Sequence, residues 1–197
     1  MELRRVSTAR CHVMVFVAKV FLDFIGGIIR FRRSLDGKFE KKQVKTDPFA
    51  VLLVDTMLPK NTFEMINRVK TLKSHYPKSA EHLFDCIDEL VKASINEEGV
   101  LEMNKLVGAV RINQNVLKTL GVSCEAIDEI VQLAKQHHFA AKLTGGGGGG
   151  CVIAIRESAC DEDEAELINV LHSRGYQTCV VRLGGEGIQL EQIESTV

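Results

Sequence analysis

Six of the chain's 16 glycines stand in one unbroken run, Gly145–Gly150, inside the stretch Ala-Ala-Lys-Leu-Thr, six Gly, Cys-Val-Ile-Ala-Ile. Glycine loses more backbone freedom on folding than any other residue, so such a run needs a reason. One reason is chemical. A main chain without side chains can turn sharply and aim successive N–H groups at one point, a nest that binds anions. The other reading is a slack hairpin turn or a low-complexity expansion. Two familiar glycine signatures are excluded. A Walker A loop needs G-K-[ST] opening a helix, so that a lysine reaches the terminal phosphates. A dinucleotide fingerprint also needs a helix after its glycines. Here Cys151 and a short apolar strand follow.

Few other residue groups could do chemistry. Asn61 and Thr62 follow Pro59-Lys60, with Glu64 three positions after Asn61, the arrangement of a helix capping box. Lys142, just before the run, reads as a solvated or strand-edge lysine rather than a phosphate ligand. Asn113 interrupts an apolar helical stripe and is expected to be structural, buried with a hydrogen-bond partner. His137-His138 have no metal-ligand companions in view, and no metal site is expected. The six cysteines, at 11, 86, 124, 151, 160 and 179, form no C-x-x-C pair and read as reduced thiols.

The elements that must position these groups follow from periodicity and punctuation. Ile28, Ile29 and Phe31 suggest a strand, Asp36-Gly37 a tight turn, and Phe39 a returning strand. Pro48–Thr56 is a continuous apolar strand, expected to be central. Four helices should follow. The first is capped by Asn61, carries Ile66, Val69, Leu72 and Tyr76 inward, and ends at Pro77. The second is capped by Ser79, with Leu83, Ile87, Leu90 and Val91 inward. The third runs from about Val100 to Leu120, with the stripe Leu106, Val110, Asn113, Leu117 and Leu120, and Gly121 stops it. The fourth is capped by Ser123 and bears Ile127, Ile130, Val131 and Ala134. Beyond the glycines, Cys151–Arg156 reads as a strand. Asp161 caps a helix with an acidic first turn that ends at Gly175, and Tyr176–Leu183 is another strand. Helices followed by strand–helix–strand make the fold α+β, a sheet with helices packed on one face.

The chain has 197 residues, enough for one domain with a real core, and a net charge of −1, which gives no argument for a nucleic-acid partner. The N-terminal stretch carries Arg4, Arg5 and Arg10 before an apolar run, like a signal or anchor. Lys19 and Asp23 interrupt that run, and a membrane span needs about 20 mostly apolar residues. No membrane partner and a cytoplasmic location are therefore expected.

Lys142-Leu143-Thr144-Gly145 and Gly147–Cys151, followed by an apolar strand, resemble the third motif of the GHMP kinases, and more narrowly that of mevalonate kinase type. The stretch Leu52–Thr62 is similar to that type's segment with a proline, a basic residue and a threonine after a central strand. Ile112–Ser123 resembles its helix ending at Leu-Gly-Val, and Gly26–Phe31 the strand that opens its C-terminal half. The resemblance implies a GHMP kinase C-terminal domain over 26–197, with a ferredoxin-like sheet, and leaves 1–25 as a divergent segment. It implies transfer of the γ-phosphoryl of ATP to mevalonate with Mg²⁺, in isoprenoid and sterol biosynthesis. It implies that Thr144, Gly145, Gly146, Gly147, Gly148, Gly149 and Gly150 line the nucleotide side, and that Asn61 and Thr62 line the substrate side. Gly146 departs from the family's usual alanine. The family's first motif is absent, as is its second, P-x-x-x-G-L-G-S-S, which cradles the triphosphate and gives the metal a serine. Its catalytic aspartate should precede the paired glycines by about seven positions, where this chain has Lys19; Asp23 is out of register. No catalytic residue is therefore assigned, and the expectation is a truncated form, inactive alone. Phosphomevalonate kinase or another GHMP small-molecule kinase is the alternative acceptor class. A non-catalytic binding module, with homodimerisation covering exposed apolar surface, is the alternative of a different kind.

Overall fold

The computed structural model describes residues 27–33, 39–157 and 161–185. The segment 1–25 with Lys19 and Asp23, and the Asp36-Gly37 turn, lie outside the described residues.

Among the described residues six strands and five helices follow one another in the order β1 (Ile28–Arg33), β2 (Phe39–Val44), β3 (Phe49–Asp55), α1 (Thr62–His75), α2 (Pro77–Ala93), α3 (Met103–Thr119), α4 (Glu125–Gln136), β4 (Phe139–Leu143), β5 (Cys151–Arg156), α5 (Asp161–Ser173) and β6 (Gln177–Leu183). β1 and β2 form a separate antiparallel ribbon, and the other four strands make one sheet in the order β4-β5-β3-β6. Every pairing in that sheet is antiparallel. Strands met in chain order as β3, β4, β5, β6 but laid side by side as β4-β5-β3-β6 give the split β-α-β, or ferredoxin-like, arrangement. The apolar run Phe49–Asp55 is central, as its composition requires: Val51, Leu52 and Val54 are almost fully buried.

Alternation along the strands divides the core. Val152 and Ala154 of β5, with Phe139, Ala141 and Leu143 of β4, join the main cluster, where Met65, Phe84, Ile87, Ile127, Ile130, Leu167 and Leu171 of the helices pack on them. Ile153, Ile155 and Ala140 point the other way. They meet Leu106 and Val110 from the first turns of α3, together with Val44 and Leu101. Each fully buried aliphatic side chain of this kind contributes roughly 1.5–3 kcal/mol relative to exposure.

Several boundaries move from their expected places. Pro77 opens α2 rather than merely ending α1, and Tyr76, not Ser79, is the N-cap. Proline suits the first helical position, where its missing N–H would have no partner anyway. The inward face of α1 is Met65, Val69 and Leu72, while Ile66 and Tyr76 are exposed. The cause is tertiary: Met65 packs into the main core with Gly148 beside it, and this fixes the helix's rotation. α3 begins at Met103 because Val100 and Leu101 are engaged in β-bridges to Lys45 and Ile95. α4 is capped by the backbone of Cys124 with no side-chain cap bond. The Ser123 hydroxyl donates instead to Asp128 Oδ1 at 2.7 Å.

Candidate functional site

The glycine run closes the β4–β5 hairpin. Leu143 is registered with Val152, and both the N–H and the hydroxyl of Thr144 donate to the Cys151 carbonyl, at 2.9 and 2.8 Å. Thr144 thus fastens the base of the loop. Five of the six glycines have positive φ, between 68° and 140°; Gly146 alone does not. The run is therefore a conformational requirement, because an L side chain at such angles is strained. It is also tightly seated. A Cβ on Gly147 would overlap the Val122 carbonyl oxygen, and one on Gly150 would overlap Cε of Lys60. One on Gly149 would lie 3.0 Å from the carbonyl oxygens of both Leu58 and Pro59. The reading as a slack turn does not survive these contacts.

The opposite bank is built by the segment after β3. Thr56 N–H donates to Gly150 O at 2.9 Å, and Gly150 N–H to Leu58 O at 3.3 Å. Met57 N–H donates to Asp55 Oδ1 at 2.9 Å, an Asx turn that bends the chain off the strand with Met57 at φ 57°. Lys60 then lies over Gly150, and Asn61 caps α1. The Asn61 Oδ1 accepts from Glu64 N–H at 3.1 Å, and its Nδ2 donates to Glu64 Oε2 at 3.1 Å. The N-cap half of the expected capping box is present, but the return bond runs from the Asn61 side-chain amide to Glu64 rather than from the Asn61 backbone N–H, and the two bonds occupy both polar atoms of the Asn61 side chain. Thr62, the first residue of α1, lies beside the loop: a methyl added to Gly146 would meet its Cγ2 at 3.0 Å and its Oγ1 at 3.2 Å.

The structure therefore brings Thr144–Gly150 and Asn61–Thr62 together at one end of the sheet. Within the loop the amides divide. Gly148 N–H is spent on Val122 O at 2.9 Å and Gly150 N–H on Leu58 O. No backbone carbonyl among the described residues accepts from Gly145, Gly146, Gly147 or Gly149. Gly145 and Gly146 are exposed, beside the N-terminus of a 14-residue helix whose dipole favours negative charge. Lys60 was not singled out from the sequence, where it read only as the basic residue of a Pro-basic-Asn-Thr stretch. Its stem lies on Gly150, and its ammonium has no ion-pair partner among the described residues. Unspent amides, a helix N-terminus, one ammonium and the Thr62 hydroxyl together make a wall suited to phosphate oxygens.

Lys142 is not solvated. It is 4 % exposed, and its Nζ donates to Leu143 O at 2.9 Å. Burial lowers its pKa from 10.5 to about 8. Asn113 is buried, as expected, but its side chain makes no hydrogen bond among the described residues. His137 ends α4 and approaches Glu166 with its Nδ1 at 3.7 Å. Among the described residues no three His, Cys, Asp or Glu side chains gather as a metal site, and no helix is long and apolar enough to cross a membrane.

Residues 100–176 match the family model described as GHMP kinases C terminal. The mevalonate kinase of Schizosaccharomyces pombe is 31% identical over 175 residues, which cover 84% of this chain and 43% of that protein. The mevalonate kinase of Arabidopsis thaliana is 27% identical over 150 residues, covering 73% of this chain and 39% of that protein. The chain thus spans less than half the length of these relatives. Among solved structures, the Methanococcus jannaschii mevalonate kinase superposes with a TM-score of 0.62 at 26% identity, covering 80% of this chain and 47% of that one. The L. major mevalonate kinase, solved with R-mevalonate, gives 0.65 at 22% identity, covering 80% and 50%.

Proposed function

The chain carries the C-terminal domain of the GHMP kinases, and from that premise we propose that it forms one wall of an ATP-dependent phosphotransferase site of mevalonate kinase type. The carrying observation is that Thr62 lies beside Gly146, close enough that one added methyl would meet it, which brings together the two segments marked in the sequence around unspent loop amides. Phosphoryl transfer asks a protein chiefly for positioning and for neutralisation of charge on the transferred group. The residues present fit the phosphates of ATP: the amides of the exposed Gly145 and Gly146, the Lys60 ammonium, and the start of α1 with Thr62. Thr144 and Asn61 serve beside them as fasteners, one holding the hairpin base and the other the helix cap. ATP, when bound, supplies the phosphoryl group; these residues hold and orient its oxygens.

Mg²⁺ is a different matter. The donors beside the loop are amides, hydroxyls and one ammonium, with Asp55 Oδ1 engaged by Met57 N–H. That set does not fit an octahedral oxygen-ligated cation, so no metal-dependent step is assigned to these residues. No described residue here stands as a base for the attacking hydroxyl either. Apolar side chains rim the wall: Phe63 is 74 % exposed and Met57 55 %. Such a rim fits a surface that works against a second one.

On this reading the 197 residues alone do not phosphorylate mevalonate, and they bind ATP weakly. A coupled ADP-release assay on the purified chain should show no mevalonate-dependent turnover. Turnover above background would overturn the one-wall reading, and calorimetry giving micromolar ATP affinity would mean that the loop suffices by itself. The alternative of a self-associating binding module is favoured by the same apolar rim. Size-exclusion chromatography tests the rim itself: a clean monomer argues against a severed domain with an uncovered wall, and against self-association through it.

A further inference from the structure

The glycine loop is seated by the turn between α3 and α4, through the Val122 carbonyl that accepts from Gly148. That turn is itself tied to the start of the loop by one buried side chain. Gln114 on α3 is 3 % exposed. Its Oε1 accepts from Leu143 N–H at 2.9 Å, the last amide of β4 before the loop. Its Nε2 donates to Ser123 Oγ at 3.3 Å, the residue after Val122. Ser123 Oγ donates onward to Asp128 Oδ1, and Lys118 Nζ pairs with Asp128 Oδ2 at 2.8 Å. Every polar atom of the relay is used, which is the condition under which a buried network fixes one geometry.

We propose that Gln114 is a positioning residue for the glycine loop: through Leu143 on one side and Ser123 on the other, it sets the distance between the hairpin's base and the carbonyl that holds Gly148. The functional meaning of this relay rests on the anion-wall reading, but its physical content does not. Gln114 touches neither the loop amides nor the open face. It acts through the Val122–Ser123 turn, and that turn decides where the unspent amides of Gly145–Gly147 point. β4 lies at the sheet's edge, so the Leu143 N–H has no neighbouring strand on that side, and the register of the hairpin depends on a side chain of α3.

Amide hydrogen exchange followed by NMR tests this on the full chain. In the wild-type protein Leu143 and Gly148 should open as one unit, with the same dependence on denaturant. Ser123→Ala cuts the relay at the turn and leaves the Gln114–Leu143 bond. Gly148 should then exchange about tenfold faster, the loss of one buried hydrogen-bond partner, while Leu143 and the β3 amides of Leu52 and Leu53 keep their rates. Gln114→Met should accelerate Leu143 and Gly148 together, beyond any change at Leu52 and Leu53. A merely structural glutamine would move all of these amides in proportion to global stability. If Gly148 tracks the β3 amides in Ser123→Ala and opens separately from Leu143 in the wild type, the proposal falls, whether or not Gln114→Met folds. Titration with inorganic pyrophosphate, following the Gly145–Gly147 amides, tests the anion wall separately. Unmoved amides would sink that reading and leave the relay standing.

Discussion

Lys142 gives the sharpest measurable consequence of this structure. Its ammonium is buried on the edge strand with one carbonyl as partner, and burial brings its pKa from 10.5 to about 8. The unfolded chain therefore holds a proton there up to pH 10.5, whereas the folded chain releases it near pH 8. Between those values the unfolded state binds the extra proton, so raising the pH favours the folded state. At about 1.36 kcal/mol per pH unit, this group should add about 2 kcal/mol of stability between pH 7 and pH 9.5. The perturbation is Lys142→Met, which keeps the length of the side chain and removes the charge. At pH 7 the variant escapes about 3 kcal/mol of charge burial but leaves the Leu143 carbonyl without its donor, a loss of about 1–3 kcal/mol. The two should nearly cancel there. The difference lies in the slope: the wild type gains stability toward pH 9.5 and the variant does not. The chain has no tryptophan, so urea unfolding at several pH values should be followed by far-ultraviolet circular dichroism. Parallel pH profiles for the two proteins would refute the buried, depressed lysine.

Three further outcomes follow from the same coordinates. Gly147→Ala, at φ 81° and overlapping the Val122 carbonyl, should cost more than about 3 kcal/mol or displace the loop. Gly145→Ala, at φ 68° with open space around it, should cost only about 1 kcal/mol; chemical denaturation compares them, and equal costs would mean the loop is not seated on Val122. Gly146→Ala needs no positive φ and presses only on Thr62 at 3.0 Å, so its effect should stay within about 1 kcal/mol, with Thr62 side-chain resonances moving. Tyr176 should titrate at about 12, raised by burial and by its 2.6 Å bond to Glu129. Its share of stability, present below pH 10, is then lost as pH rises toward 12, and phenolate absorbance in Glu129→Gln should show the titration moved down.

The strands and the order of the helices were legible because their signals are local. Cys151–Arg156 is a strand to the residue, and Asn61 caps α1 through Glu64 N–H as its spacing requires. The rotation of α1 was not legible. Ile66 and Met65 are both apolar, and it is the packing of Met65 into the main core, with Gly148 beside it, that decides which one faces in. Lys142 stands on an edge strand, as one half of its reading had it, but its burial was not legible, for a similar reason. Lysine in sequence reads as exposed, and nothing local reveals that α3 covers the edge strand and that the ammonium turns back onto the main chain beside it. Lys60 escaped notice because its role depends on lying across Gly150, 90 positions away. The relay through Gln114 was hidden in the same way, spanning 29 positions to Leu143.

The glycine run itself shows why part of a site stays silent in sequence. Its chemistry is carried by main-chain amides, which every residue possesses, so no side-chain pattern announces them. What the sequence records is the negative imprint of the neighbours. Positions 146–150 would each press a side chain into a different group: Thr62, Val122, Met65, the Leu58–Pro59 carbonyls and Lys60. Those groups come from the segment after β3, the first turn of α1 and the α3–α4 turn. A run of glycine at this place is thus the trace of several elements converging on one hairpin. Of the amides they leave unspent, that of Gly146 is both exposed and held by a neighbour, Thr62. Preorganised donors of this kind need no reorganisation when charge arrives, and that is the property a phosphate-holding wall requires.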